Sequence, residues 1–240
     1  MVTPARPRGP RPGRAKAPPS TLVLLVRHGS TPSTGQVLPG RAAGLHLADS
    51  GRQQAQLLAA RLVEWAPPGP DGLTTRRGRP RRRIDAVYAS PMERTKETAQ
   101  PIGSALGLPV QIARGLVECD FGDWTGANLK DLAKLPEWAT IQRYPSGFRF
   151  PGGESFASMQ ARMLDTIADL CSRHRGSAIV AVSHADPIKA AVADALGTHL
   201  DLFQRILISP CSVTAVTYGP LGPAVLAVNS TGALGDSVGW

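Results

Sequence analysis

The order of apolar and polar positions along the chain predicts buried strands that alternate with helices. "TLVLLVRHGST" (residues 21–31) contains a continuous apolar run at 22–26, and "SAIVAVSHAD" (177–186) contains a second one at 178–182. "IDAVYAS" (84–90) predicts a third strand. Continuous apolar runs are typical of parallel strands that are covered on both faces. The pattern therefore predicts an α/β fold, a three-layer sandwich in which a mostly parallel sheet is flanked by helices.

Segments between these strands carry apolar residues at helical spacing. "LADSGRQQAQLLAARLVEW" (47–65) predicts a helix with Asp49 or Ser50 as its N-cap, and "PMERTKETAQPIGSALG" (91–107) predicts another with a proline near its first turn. A longer helix is expected from about Ser155 to His174. The remaining predictions are an extended piece at 110–118, short helices over 128–144, a helix at 186–197, and strand-like pieces at 205–210, 212–219 and 223–230.

The net charge of +9 is confined to two segments. Residues 1–19 hold five basic residues and no acid, and residues 76–83 hold six arginines. Without these eleven, the chain has 16 basic and 18 acidic residues. Both segments are rich in Pro and Gly, so we expect 1–19 to be a disordered basic tail, 66–83 a flexible basic loop and 20–240 one domain. No aromatic residue interleaves either basic run, which disfavours a nucleic-acid partner.

Cysteine use and hydropathy bear on the compartment. The three cysteines, Cys119, Cys171 and Cys211, are odd in number and lack paired spacing, which argues against a disulfide framework or a zinc site. No apolar run reaches the roughly 20 residues that span a bilayer, and the N-terminus lacks the apolar core of a secretory signal. We therefore expect a cytoplasmic protein with no membrane partner; a homodimer is compatible with the sequence.

Two histidines directly follow buried strands, although 156 positions separate them. His28 follows the first strand, beside Arg27, and His184 follows the strand at 178–182. Ligand sites of open α/β sheets lie at the carboxyl ends of the strands, so we expect both histidines in one crevice. Arg94, near the start of the helix after the second strand, is expected at the same edge, although a salt bridge on the helix surface is an alternative for it. Two arginines and two histidines would form a pocket for a phosphate dianion.

Five motifs in order carry a resemblance to a known family. "LVRHGST", "VYASPMERTKETA", "LVECDFGDWTG", "RFPGGES" and "VSHADPIK" resemble the successive motifs of the histidine phosphatase superfamily, in its phosphoglycerate-mutase-like branch. The resemblance covers residues 21 to about 190. It implies a phosphatase that needs no metal and no other cofactor and acts on a small phosphorylated substrate.

The resemblance also implies roles for individual residues. His28 is expected to be the nucleophile that accepts the phosphoryl group, Glu118 the general acid, and His184 a third catalytic residue. Arg27 and Arg94 are expected to bind the phosphate. From their own chemistry, and not from the resemblance, the Thr31 and Thr34 hydroxyls are expected to add donors. Alternatives that stay open at this point are Lys96 as a cation that shares the work of Arg94, and Asp120 or Asp123 as the acid.

Two positions depart from the family's pattern. Thr34 stands where many members have asparagine, and Ala185 stands where glycine is common. Neither change removes a charge from the predicted pocket, so we expect activity with a shifted substrate preference.

Four functions compete at this point. The sequence favours a metal-independent phosphomonoesterase that forms a phosphohistidine. A cofactor-dependent phosphoglycerate mutase is the alternative, and a non-catalytic binding protein or a basic RNA-associated protein is less favoured. Residues 35–46 and 124–154 are expected to cover the pocket. Candidates for contacts with the alcohol portion of the substrate, or with a second anionic group, are Arg41, His46, Arg143 and Arg149, although a plain surface position is the favoured alternative for each.

Overall fold

The computed structural model describes residues 19–69, 83–235 and 238. The predicted tail, apart from residue 19, and most of the predicted loop, residues 70–82, lie outside the described residues. Their disorder and flexibility therefore stay predictions.

A six-stranded sheet forms the middle layer of the described part of the chain. Its spatial order is β3-β2-β4-β1-β5-β6. The pairs from β3 to β1 are parallel, whereas β1 with β5 and β5 with β6 are antiparallel. The α/β sandwich prediction is confirmed, and the parallel half of the sheet carries both histidines. The strands are β1 (Thr21–Arg27), β2 (Ile84–Ala89), β3 (Val110–Ile112), β4 (Ala178–Ser183), β5 (Val213–Gly219) and β6 (Gly222–Ser230).

Helices cover both faces of this sheet. The α-helices are α1 (Asp49–Trp65), α2 (Glu93–Leu106), α3 (Leu129–Leu132), α4 (Pro136–Arg143), α5 (Phe156–Arg173) and α6 (Ala185–Ala195). Short 3₁₀ helices are present at Arg114–Leu116, Gly122–Trp124, Pro145–Gly147 and Leu200–Arg205.

Alternate residues of β1 explain the three layers. Leu24 belongs to a buried cluster with side chains of α1 and α2, whereas Leu25 belongs to a cluster with side chains of α5 and α6. Successive side chains of a strand point to opposite faces, so an all-apolar strand needs an apolar layer on each side. The residues of β1 from Thr21 to Val26 are buried.

Three local predictions were wrong. Helix α1 has Ala48 as its N-cap residue, without a side-chain cap, because the Ala48 N–H donates to the Ser30 carbonyl and the helix begins at Asp49. The extended piece at 110–118 is a strand only as far as Ile112, and a 3₁₀ turn follows it. Residues 205–210 do not form a strand, because side chains from elsewhere take up their backbone groups: Ile208 O accepts from Arg27, and Ser209 N–H donates to Asn229.

The described residues contain no helix that is long and apolar enough to cross a membrane. Cys119, Cys171 and Cys211 are all free thiols.

Candidate active site

The ends of β1 and β4 bring the two histidines together. Arg27 is aligned with Ser183 in the parallel register, and the His28 N–H donates to the Ser183 carbonyl over 3.0 Å. The ring centroids of His28 and His184 lie 5.2 Å apart. The expectation that both histidines share one crevice therefore agrees with their positions.

The end of β2 adds Arg94 to the same edge. The Ser90 N–H donates to the Val182 carbonyl, and α2 begins three residues later. Arg94 has no exposed surface, and its Nη2 donates to the Gly40 carbonyl over 2.7 Å and lies 3.2 Å from Nδ1 of His184. It is not a surface salt-bridge residue. The alternative cation, Lys96, is exposed on the same helix.

Several guanidinium N–H groups at this edge have no acceptor within residues 19–69, 83–235 and 238. Arg27 donates from Nη1 to the Ile208 carbonyl over 2.6 Å, but its Nε is buried without a hydrogen-bond partner among the described residues. The same holds for Nε and Nη1 of Arg94. Burial lowers the pKa of both groups, yet arginine stays charged in proteins. Buried charged donors without an acceptor are costly, so this arrangement suits a bound anion.

His28 is held as a neutral imidazole. Burial, followed by the positive charge of Arg94, lowers its pKa to about 3, although a hydrogen bond with the Gly29 carbonyl acts in the opposite direction. The Nδ1···O distance of that bond is 2.7 Å. A carbonyl oxygen can only accept, so Nδ1 carries the proton and Nε2 keeps its lone pair. A neutral His28 with a free Nε2 is a competent nucleophile.

Glu118 is held as an acid. Burial raises its pKa to about 7, and the negative charge of Asp186 acts in the same direction. Three groups oppose this rise: the Cys119 N–H, which donates to Oε1 over 2.9 Å, and the charges of Arg94 and Arg27. Its Oε2 lies 4.0 Å from Nδ1 of His184. A carboxyl group with this pKa is substantially protonated near neutral pH and can donate a proton.

The Glu118 backbone is fixed by a network of charged side chains. Arg41 Nε and Arg162 Nη2 both donate to the Glu118 carbonyl, over 2.9 and 3.3 Å. Both arginines also pair with Glu154. Arg41 therefore has a positioning place behind Glu118, whereas the sequence offered it as a candidate substrate contact and favoured a surface position. Asp120 pairs with Arg41 at 3.4 Å.

His184 is fully buried at the N-terminus of α6. Burial and then the charge of Arg94 lower its pKa well below the usual value. Its Nε2 lies 2.8 Å from the Ser90 hydroxyl, which can donate or accept. Sequence reasoning missed Ser90, whose signals were its position directly after β2 and its place in the motif "VYASPMERTKETA". We call Arg27, His28, Arg94, Glu118 and His184 the strand-end pocket.

Two small residues near this pocket have close protein partners. The Thr34 hydroxyl accepts from the Thr31 N–H over 2.8 Å and contacts the Thr31 hydroxyl at 3.0 Å, so it builds a turn at the pocket. Gly29 packs closely against α1. A Cβ there would lie 2.6 Å from the Gly51 carbonyl oxygen of α1, and its N–H donates to Thr98.

Comparison with known proteins decides the family. A family model described as "Histidine phosphatase superfamily (branch 1)" matches residues 23–69 and 74–231. The chain belongs to the histidine phosphatase superfamily.

Relatives of this histidine phosphatase include named enzymes. Phosphoserine phosphatase 1 of Hydrogenobacter thermophilus is 28% identical over 227 residues, which are 89% of this chain and 94% of that protein. A bifunctional protein of Mycobacterium tuberculosis is 30% identical over 216 residues, 89% of this chain; the chain spans about half (55%) of that protein. A crystal structure of a phosphoserine phosphatase mutant from Entamoeba histolytica, in complex with phosphoserine, superimposes with a TM-score of 0.74 at 25% identity and covers 89% of this chain and 99% of that one.

A cavity of about 320 Å³ adjoins the strand-end pocket of this histidine phosphatase. Arg27, His28 and Glu118 line one part of it, with Thr31 and Thr34. Much of the remaining lining is apolar, and most of it comes from the two segments that the sequence assigned to cover the pocket. We call six apolar side chains the apolar wall, five of them from those segments and Phe121 from just before the second: Leu38, Phe121, Leu129, Trp138, Ile141 and Phe150.

Asp186 and Lys189 also line the cavity, and sequence reasoning missed both. They lie in "VSHADPIK", two and five residues after His184, so the motif itself was the signal. Lys189 Nζ pairs with Asp186 Oδ1 at 3.2 Å and with Gln204 Oε1 at 3.1 Å.

A thiol nucleophile and a metal site are the two remaining chemical possibilities at this pocket. The Cys119 thiol is fully buried, and burial and the charge of Glu118 raise its pKa. Cys119 is therefore a structural residue and not a nucleophile. Among the described residues, no three His, Cys, Asp or Glu side chains are grouped so that they could hold a metal ion.

Proposed function

We propose that this chain is a metal-independent phosphomonoesterase that transfers a phosphoryl group to His28 and then to water. The observation that carries the proposal is the set of buried Arg27 and Arg94 N–H groups that have no acceptor in the part of the chain that the structure describes, beside a neutral imidazole. A phosphoryl transition state needs positive charge around its equatorial oxygens and an aligned nucleophile. The two arginines supply that charge from side chains.

The first half of the proposed reaction breaks the ester bond. Nε2 of His28 attacks phosphorus while the P–O bond to the alcohol breaks, and Glu118 donates its proton to the departing oxygen. Arg27 and Arg94 hold the phosphoryl oxygens, and His184, placed between Arg94 and Ser90, keeps the Arg94 guanidinium in position. The hydroxyls of Thr31 and Thr34 support the turn beside them. The products are the free alcohol, a phosphohistidine and an ionised Glu118.

The second half returns the enzyme to its starting state. The Glu118 carboxylate takes a proton from water, whose oxygen attacks the phosphohistidine, and the N–P bond breaks to release inorganic phosphate. The proton taken by Glu118 restores the acid for the next cycle.

Trapping the intermediate tests this assignment. Brief incubation with a ³²P-labelled phosphomonoester, followed by an alkaline quench, should give an alkali-stable and acid-labile adduct on His28. His28→Ala should abolish the adduct and lower kcat by about 10³-fold or more, since the nucleophile starts every step. A labelled Cys119, or full turnover in His28→Ala, would contradict the proposal.

Hydrolysis is favoured over the mutase reaction by the cavity lining. A mutase must retain a carboxylated alcohol for a second transfer, whereas Lys189 is already paired with Asp186 here. ³¹P NMR of 3-phosphoglycerate with a trace of 2,3-bisphosphoglycerate separates the two reactions. Inorganic phosphate as the only new signal supports the phosphatase; equilibration with 2-phosphoglycerate that outpaces phosphate release would make the chain a mutase.

A further inference from the structure

We infer that the preferred substrate is a monoester whose alcohol portion is uncharged and largely apolar, with an aromatic ring as the best fit. The inference rests on the proposed function for the phosphate end. It names the chemical class of the alcohol portion of the substrate, which the apolar wall and the Asp186–Lys189 pair would select.

The apolar wall is a preformed surface, since its parts are tied together. The Leu38 N–H donates to the Ala127 carbonyl over 2.9 Å, and the Leu129 N–H donates to the Gln36 carbonyl over 2.9 Å. The rings of Phe121 and Phe150 meet edge to face at 4.9 Å. A rigid apolar lining of this kind gains affinity by burying apolar surface of the ligand, and aromatic edges favour an aromatic ring.

Charge at the cavity opposes a second anionic group. Outside the strand-end pocket, Lys189 is the cation that lines the described cavity, and Asp186 and Gln204 already neutralise and bond it. Both ends of the ion pair are largely buried, at 16% and 17% side-chain exposure. A substrate carboxylate would lose its hydration against apolar side chains and meet Asp186 without a free cation.

The cations that the sequence offered for such a group are occupied or lie elsewhere. Arg41 binds the Glu118 carbonyl and Glu154, and His46 pairs with Glu97. Arg143 and Arg149 are exposed, and none of the four lines the cavity. Phosphoserine and phosphoglycerate are therefore expected to be poor substrates for this chain.

A matched series of three substrates tests the inference. Benzyl phosphate, 4-carbamoylbenzyl phosphate and 4-carboxybenzyl phosphate share the same kind of leaving group and nearly the same shape, but only the last adds a charge. We expect kcat/KM to fall in that order, with benzyl over carboxybenzyl by about 10–100-fold. Equal values for the amide and the acid, or a higher value for phosphoserine than for benzyl phosphate, would overturn it.

Two charge variants should shift the ratio of kcat/KM for benzyl phosphate to kcat/KM for 4-carboxybenzyl phosphate in opposite directions. A merely structural role of the Asp186–Lys189 pair would not do so. Asp186→Asn leaves Lys189 without its anion and should narrow the benzyl-to-carboxybenzyl ratio about tenfold. Lys189→Met leaves Asp186 unpaired and should widen the ratio. Because Asp186 also influences Glu118, only the ratio between substrates with the same leaving group is compared. Shifts in the same direction for both variants would refute the role of the pair.

The apolar wall is tested with one aromatic truncation on α4 and a control just after that helix. Trp138→Ala should lower kcat/KM for benzyl phosphate relative to ethyl phosphate by about tenfold, because the ring loses its apolar contact. Tyr144→Ala is the matched control: it truncates an exposed aromatic residue just after the same helix, outside the cavity. An equal change in both variants would show that the wall does not contact the substrate.

Binding to His28→Ala separates this inference from the proposed function. Calorimetry on that variant should give the same order of affinity for the three benzyl esters without any turnover. If the wild-type chain releases no phosphate from p-nitrophenyl phosphate, the proposed function fails, and the calorimetric order alone still supports or overturns the alcohol preference. If phosphate is released but the acid binds best, only the inference fails.

Discussion

The strand-end pocket and the apolar wall adjoin one cavity but are built differently. The first consists of buried polar side chains, two of them charged arginines, at the ends of β1, β2 and β4, with Glu118 added from the chain after β3. The second consists of apolar side chains from short helices and loops between residues 38 and 150. Side chains held at strand ends are fixed by the backbone of the sheet, whereas the wall can change by single apolar substitutions. We therefore expect pocket variants to change the reaction itself and wall variants to change which alcohol is accepted.

The largest expected effect separates two leaving groups. Glu118→Gln should lower kcat/KM for an alkyl phosphate by about 10²–10⁴-fold, because an alkoxide cannot depart without a proton. The loss on p-nitrophenyl phosphate should be much smaller, since its phenolate is a good leaving group. Steady-state kinetics on both substrates measures the difference, and equal losses would give Glu118 a positioning role only.

Removal of one buried guanidinium is expected to come next. Arg94→Met should lower kcat/KM by about 10²–10³-fold on every substrate, because a preorganised charge at the phosphoryl oxygens is lost. Lys96→Met is the control, since it removes an exposed cation from the same helix. Thermal melts establish that both variants are folded. A comparable loss of kcat/KM in both variants would show that any nearby positive charge has this effect. The buried Arg94 would then have no special role relative to an exposed cation.

The pH dependence should show the acid directly. Glu118 has a raised pKa of about 7, so it is protonated below pH 7 and ionised above it. For an alkyl phosphate, kcat/KM should fall about tenfold per unit above pH 7, whereas the p-nitrophenyl ester should stay nearly level. Because His28 has a pKa lowered to about 3, its protonation should not limit activity between pH 5 and 7. A fall for both esters above pH 7 would assign the pKa to another group.

The smallest expected effect belongs to the wall. Leu129→Ala should raise KM for benzyl phosphate by about three- to tenfold and leave kcat nearly unchanged, because only apolar contact is lost. Leu135→Ala, at a more exposed leucine six residues later that does not line the cavity, is the control. A fall in kcat without a change in KM would place Leu129 in the chemical step. The wall could then not be distinguished from the strand-end pocket by its effect on kcat.

Prediction from the sequence worked where one segment carries its own signal. The apolar runs before His28 and His184 predicted β1 and β4, and parallel strands end at one edge, so their proximity followed. Sequence patterns failed at residues 205–210, whose apolar and β-branched composition looked like a strand, because Arg27 and Asn229 take its backbone hydrogen bonds. The N-cap of α1 failed for a related reason: the Ser30 carbonyl, distant in sequence, sets where the helix begins.

The sequence by itself determined the family, the layered fold and the identity of the residues in the strand-end pocket, because these depend on motifs and on the periodicity of single segments. Only the tertiary structure decided the environment of those residues. Burial next to Asp186 raises the pKa of Glu118, and burial beside Arg94 keeps His28 neutral. It also decided that Leu38, Leu129 and Trp138 share one cavity with a neutralised Lys189. Burial and charge pairing depend on many neighbours that are far apart in the chain, so a local pattern of residues does not predict them.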